Sequence, residues 1–155
     1  MRLAVAIVFV AACGTEPPRS ASPDAGAMMN NAGPDAALSV CDEAAQHSDL
    51  AWIQTNVFNA SCARSNCHVT GNEAGGLILE AGKSHDYLVN KVSTKGNGMM
   101  RVLPGDPANS YLLVALGGEP GMPPEGNVMP WGGLPMLCSQ EIDAIKRWVA
   151  AGAQP

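Results

Sequence analysis

Cys62-Ala63-Arg64-Ser65-Asn66-Cys67-His68 is the stretch on which the reading of this chain turns. Two thiols stand close together, and an imidazole follows the second at once. The usual site of covalent haem attachment is Cys-x-x-Cys-His. Two thiols there add to vinyl groups at one edge of the ring, and the histidine that follows reaches the iron. The spacer in this chain has four residues instead of two. It meets the same requirement if it bulges outward and still presents both sulfurs to one edge.

Upstream, Met1 and Arg2 form a short positive start, Leu3 to Val10 form an apolar run, and Ala11-Ala12-Cys13 follows. A membrane-spanning helix needs about 20 apolar residues, so this run reads as a signal peptide over residues 1–12. Val10-Ala11-Ala12-Cys13 resembles the lipobox of bacterial lipoproteins, which predicts lipidation of Cys13. The other reading is an ordinary secretory cleavage beside a cysteine. Gly14 follows the cysteine in place of an acidic residue, which is compatible with outer-membrane sorting. The expected location is the cell envelope, as a periplasmic or surface-exposed lipoprotein of the outer membrane, with the membrane contacted through the lipid.

Residues 13–38 are Ala, Pro, Gly, Ser, Asp and Asn with Met28 and Met29, and carry no periodic apolar face. Such a composition cannot offset the entropy of ordering and reads as a flexible tether. The folded domain is expected over residues 39–155. Its net charge context is mildly acidic, −5 for the chain, and the nine Lys and Arg residues are scattered. Nucleic acid is therefore not an expected partner, because phosphate binding needs clustered cations. Aromatic residues are only 5% of the chain. Small domains of this kind often depend on disulfides, metals or cofactors.

Four short helices are predicted. Ser48 is placed as cap of a helix carrying Leu50, Trp52, Ile53, Val57 and Phe58. Ser84 is placed as cap of a turn or two through Tyr87, Leu88 and Val89. Asp106-Pro107 joins an N-cap acceptor to a proline at the first helical position, ahead of Tyr111, Leu112, Ala115 and Leu116, with Gly117 as the stop. Ser139 is placed as cap of the last helix, with Glu141 in its first turn, Ile142, Ile145, Trp148 and Val149 on one face and Gly152 at its end. No period-2 strand and no internal repeat stand out. The expected class is mainly α with long Gly/Pro-rich loops, the longest running from Gly117 to Pro135 with Met122, Met129 and Trp131 in it.

Besides Cys13, the cysteines are Cys41, Cys62, Cys67 and Cys138. In an oxidising compartment four cysteines suggest disulfides, and three pairings are open.

Three runs add to the first stretch. Asn59 to His68 with Gly75-Gly76-Leu77 resembles the opening of planctomycete-type cytochrome c domains. Arg101-Val102-Leu103-Pro104-Gly105-Asp106-Pro107 through Ser110-Tyr111-Leu112 resembles their middle motif. Met129-Pro130, Glu141-Ile142, Lys146 to Val149 and Gly152-Ala153 resemble their close, all in the same order. The resemblance implies a small helical c-type cytochrome domain carrying haem c, with Cys62 and Cys67 holding the ring, His68 as proximal iron ligand and Met129 as distal ligand. Met122, Met99, Met100, Met136 and His85 are weaker rivals for that last place, and His47 and His85 otherwise read as solvent-facing or cap-region side chains. A His–Met pair favours electron transfer over oxygen binding, so the implied role is an electron carrier, not a catalyst, serving a redox partner protein. The ring would be packed by Trp52, Leu77, Leu112, Trp131 and Trp148. The first and last helices of such cytochromes pack together, which implies a Cys41–Cys138 disulfide.

Two rival readings use the same residues. One is a haem-free, disulfide-stabilised cell-surface binding module, pairing Cys62 with Cys67 and Cys41 with Cys138. The other is a structural zinc site on Cys62, Cys67 and His68, which adjacent ligands rarely form. A hydrolase is disfavoured, since the chain has no Gly-x-Ser-x-Gly and no phosphate-cradling glycine loop.

Overall fold

Each capped start in the chain launches a helix of only a turn or two, and the last launches the longest. The computed structural model describes residues 39–119 and 128–155. The signal peptide, Cys13, the tether with Met28 and Met29, and Met122 lie outside the described residues.

Helix α1 is Val40–Ala44. Ser39 caps it reciprocally: its hydroxyl accepts from the Asp42 amide at 3.2 Å, and the Asp42 carboxylate accepts from the Ser39 amide at 3.3 Å. Helix α2, Leu50–Ile53, is capped by Asp49, one residue later than expected, through Oδ1 and the Trp52 amide at 2.8 Å. It continues as a π-helical stretch over Gln54–Cys62. Thr55 Oγ1 and Asn56 Nδ2 donate to the carbonyls of Ala51 and Trp52 at 3.0 Å each, and this competition with the backbone ladder accompanies the widened turn.

A small antiparallel hairpin follows, β1 His68–Val69 with β2 Asn72–Glu73, in the register His68 opposite Glu73 and Val69 opposite Asn72. Its turn is Thr70-Gly71, where Gly71 takes φ +88°, a conformation open to glycine at little cost. Helix α3 is Ser84–Leu88, in which Ser84 is the first helical residue and not the cap. Asp106 does act as predicted, accepting from the Asn109 amide at 3.2 Å ahead of a 3₁₀ turn at Pro107–Asn109. Helix α4 is Tyr111–Ala115 and helix α5 is Ser139–Ala150. Cys138, and not Ser139, occupies the cap position of α5, one residue earlier than expected, and its amide donates to the Glu141 carboxylate at 2.8 Å.

The mainly α class is corrected. About 42% of the described residues are helical and 8% are in strands or bridges. The rest is turn and loop around a two-stranded sheet and three isolated bridges, Val89–Val102, Val92–Met100 and Met100–Ser110. The capping signals were real, but glycine, proline and left-handed asparagines (Asn66, Asn90 and Asn97) end the segments quickly. Strands of two residues are also too short to show a period of two.

One buried cluster unites these pieces, with Ile53, Val57 and Phe58 from the second segment, Leu88 from α3, Leu113 from α4, and Ile145, Trp148 and Val149 from α5. Helix α5 packs on α1, α2 and α4. Arg147 reaches across from α5 to take the carbonyls of Ala44 at 2.6 Å and His47 at 2.8 Å, closing the end of α1. A Cys41–Cys138 disulfide ties the same two helices, with Cα atoms 6.2 Å apart. Among the described residues, no helix is long and apolar enough to cross a membrane.

Candidate functional site

Cys62 is the last residue of the π-helical stretch, and Cys67 and His68 open the hairpin. The spacer between them turns through Asn66 at φ 71°. Arg64, Ser65 and Asn66 are exposed, while Cys62, Cys67 and His68 are half-buried. The four-residue spacer thus loops outward, and both cysteines and the histidine line one cavity of about 360 Å³. That volume falls in the range of small-ligand sites. Backbone bonds hold the geometry: the Cys67 amide donates to Arg64 O at 2.9 Å, and the Leu79 amide donates to His68 O at 2.9 Å.

Part of the lining comes from a distant segment. Met129 lines the cavity, and its amide donates to Ala115 O at 2.8 Å, hanging this strand of loop on the end of α4. Trp131 lines it too and is 66% exposed. Leucines 77, 79 and 112 make the interior apolar.

The two cavity cysteines are free thiols, while Cys41 and Cys138 are bonded to each other. Burial pushes the Cys62 thiol up to about 12, with the charges of Cys67 and Glu141 adding to it. A thiol held protonated is a poor nucleophile. Burial also holds the His68 imidazole below its ordinary pKa; the Leu77 and Ala74 backbone opposes this in part, and the positive charge of Arg101 adds to the lowering. His68 Nδ1 is buried without a hydrogen-bond partner. A native structure rarely leaves such an atom unsatisfied.

A haem c group fits this donor set. Its demands are two reduced thiols, a neutral imidazole, apolar walls and a second axial donor, which Cys62, Cys67, His68, the leucines and the Met129 thioether provide. Zinc fits less well. The donor atoms of Cys62, Cys67 and His68 do not gather within 4.8 Å of one another; the cluster that does, Cys41, Cys138 and Glu141, has its sulfurs consumed in a disulfide.

Several expected residues lie elsewhere. Trp52 stacks on His47, rings 4.8 Å apart and 9° from parallel, and does not line the cavity. Trp148 is buried in the core, its indole donating to Gln154 O at 2.7 Å. His85 Nε2 is 3.0 Å from Ala153 O, and neither it nor Met99, Met100 or Met136 lines the cavity. Conversely, Arg101, Lys95 and Tyr111 line it without having been singled out as site residues. Arg101 and Tyr111 stand in the run over 101–112 but nothing in that run marks them as lining a cavity, and Arg101 bonds Gly75 and Gly76, some 25 positions away. No known protein family, curated protein or solved structure matches the chain. The functional reading therefore rests on the cavity and the residues that line it.

Proposed function

We propose that this protein is an electron carrier with one haem c held covalently in the cavity. The observation that carries the reading is the convergence of four donors on one apolar space, Cys62, Cys67 and His68 from one stretch and Met129 from a distant loop. The state of the cysteines supports it as well. The pair outside the cavity is bonded, and the pair inside is free.

In this reading Cys62 and Cys67 would hold the ring through thioether bonds, an addition to two vinyl groups in which each S–H gives one S–C and one C–H bond and no oxidant is needed. His68 would offer a nitrogen and Met129 a thioether sulfur to the iron. The bound group, when present, supplies the ferric–ferrous couple, and thioether ligation sets its potential high. Leucines 77, 79 and 112 exclude water from that couple. The exposed edges of Met129 and Trp131 leave one side of the cavity open to a redox partner. The lipobox-like run before Cys13 supports placement in the cell envelope by a lipid anchor.

The test is expression of the full chain in a host that matures c-type cytochromes, followed by a pyridine haemochrome spectrum and intact mass. The expected result is one haem mass per chain. No haem, with Cys62 and Cys67 joined as a second disulfide, would instead make the protein a haem-free surface binding module.

A further inference from the structure

One charged group in the cavity wall has no role in that reading. The Arg101 guanidinium is clamped by three neutral acceptors: Nη1 donates to Tyr87 O at 2.8 Å, and Nη2 donates to Gly75 O at 3.1 Å and Gly76 O at 2.9 Å. Carbonyl oxygens orient a guanidinium but leave its charge uncancelled. Among the described residues, no carboxylate forms an ion pair with Arg101. Asp86 borders the shallow hollow on which Arg101 also opens, without pairing to it. Partial burial lowers the Arg101 pKa, with Tyr87 acting against it. Around it the wall turns polar. Lys95, Ser93 and Thr94 line the same cavity, and Thr94 Oγ1 donates to the Gly75 carbonyl that Arg101 also uses, at 2.9 Å. Apolar walls and a rigid cation set into one side of them are complementary to an amphipathic anion, and a guanidinium favours carboxylates.

We propose that the cavity selects a ligand with an apolar planar body and carboxylate groups, and that Arg101 is the residue that recognises those carboxylates. The inference rests on the haem reading for the planar body and adds the acidic edge. Arg101 is then a specificity residue as well as the clamp of the Gly75-Gly76 turn.

The test uses the full chain made without haem maturation, thiols reduced, and mesoporphyrin IX. This porphyrin lacks iron, so His68 ligation contributes nothing, and lacks vinyl groups, so the thiols cannot add. Its diamide, with both carboxylates neutralised, is the comparison. Binding is read from the porphyrin absorption shift and from quenching of tryptophan fluorescence. The expected result is that the wild-type chain binds the acid at least tenfold more tightly than the diamide, about 1.4 kcal/mol. Arg101→Gln should erase that preference, and Arg101→Lys should keep part of it. Equal binding of acid and diamide by the wild-type chain overturns the role of Arg101 and leaves the haem reading standing, whatever the variants do. Binding of neither porphyrin overturns the planar-ligand reading of the cavity itself.

Discussion

Cys41, inside the first helix, is bonded to Cys138, at the cap of the last, across a separation of 97 residues. The bond and the Arg147 contacts to Ala44 and His47 span the same helix pair. Closing so long a loop removes much freedom from the unfolded chain. Replacing both cysteines with serine should therefore cost about 2–5 kcal/mol. Urea unfolding of the double variant beside the wild type, both in reductant-free buffer, checks this. Equal midpoints would mean that Arg147 and the core hold the helices without the bond.

Gln54 sits buried at the start of the π-helical stretch and ties three segments together. Its amide donates to Leu79 O and Asn59 Oδ1 at 2.8 Å each, and its carbonyl accepts from Ser84 Oγ at 2.5 Å. Gln54→Leu strands the Ser84 hydroxyl and the Leu79 carbonyl, at about 1–3 kcal/mol for each buried group. Leu79 lines the cavity, so the damage should extend to the site. The double variant Gln54→Leu with Ser84→Ala should lose less than the sum of the single losses. Additive losses in urea unfolding would show that the two side chains act independently.

These two relationships mark what the sequence could and could not disclose. Asp106-Pro107 and the apolar face of α5 are local signals; α5 forms where it was placed, while the single helix expected after Asp106 divides into a 3₁₀ turn at Pro107–Asn109 and a separate α4. Ser48 and Asp49 are both good caps, so only the bond from the Trp52 amide to Asp49 decides between them. Helix α1 is five residues long, too short for a period to show. Likewise the π-helical spacing over Gln54–Cys62 blurs the 3.6-residue pattern that a helix is recognised by. In the site, the thiols, His68 and Met129 were legible because each belongs to a short motif. Arg101 also opens a motif, but its place in the cavity wall was not legible, because its partners Gly75, Gly76 and Tyr87 are distant in sequence. Trp52 and Trp148 were assigned to the cavity from size alone, and size does not say which side of a helix an indole occupies.

Gly96 is buried beside the cavity, and a methyl group there would lie 2.7 Å from the Tyr111 ring. Tyr111 lines the cavity, so the ring would have to move. Gly96→Ala should cost about 1–3 kcal/mol through overpacking and weaken ligand binding at the same time. Unfolding and porphyrin titration of one preparation check both. Unchanged binding in a destabilised variant would place the displaced ring away from the ligand.

Ionisation of Cys62 has a definite pH signature. Its thiol is pushed from 9.0 up to about 12 in the folded chain. Below pH 9 both folded and unfolded chains keep the proton, and this group does not shift the balance. Above it the unfolded chain ionises first, so the thiol's contribution to stability is lost as pH rises from 9 toward 12. In a haem-free Cys67→Ser variant, alkylation of Cys62 by iodoacetamide should accelerate well past pH 9. A rate that levels off by pH 9 would mean that the thiol is not buried as described.

The axial positions carry the sharpest prediction for the loaded protein. His68 lines the cavity and its Nδ1 has no hydrogen-bond partner, and Met129 lines the cavity from the loop hung on Ala115. His68→Ala should abolish the native Soret spectrum while leaving the covalent mass of haem in place, because Cys62 and Cys67 are untouched. Met129→Ala should remove the weak charge-transfer band of the oxidised form. It should also lower the potential by on the order of 0.1 V, within the roughly 0.8 V that axial ligands span. Redox titration with absorption spectra of the three proteins checks both. A Met129→Ala protein with band and potential intact would transfer the distal role to Met122, since the band reports a thioether on the iron. Absence of the band already in the wild type would point to His85, which would have to leave Ala153 O, 3.0 Å from its Nε2.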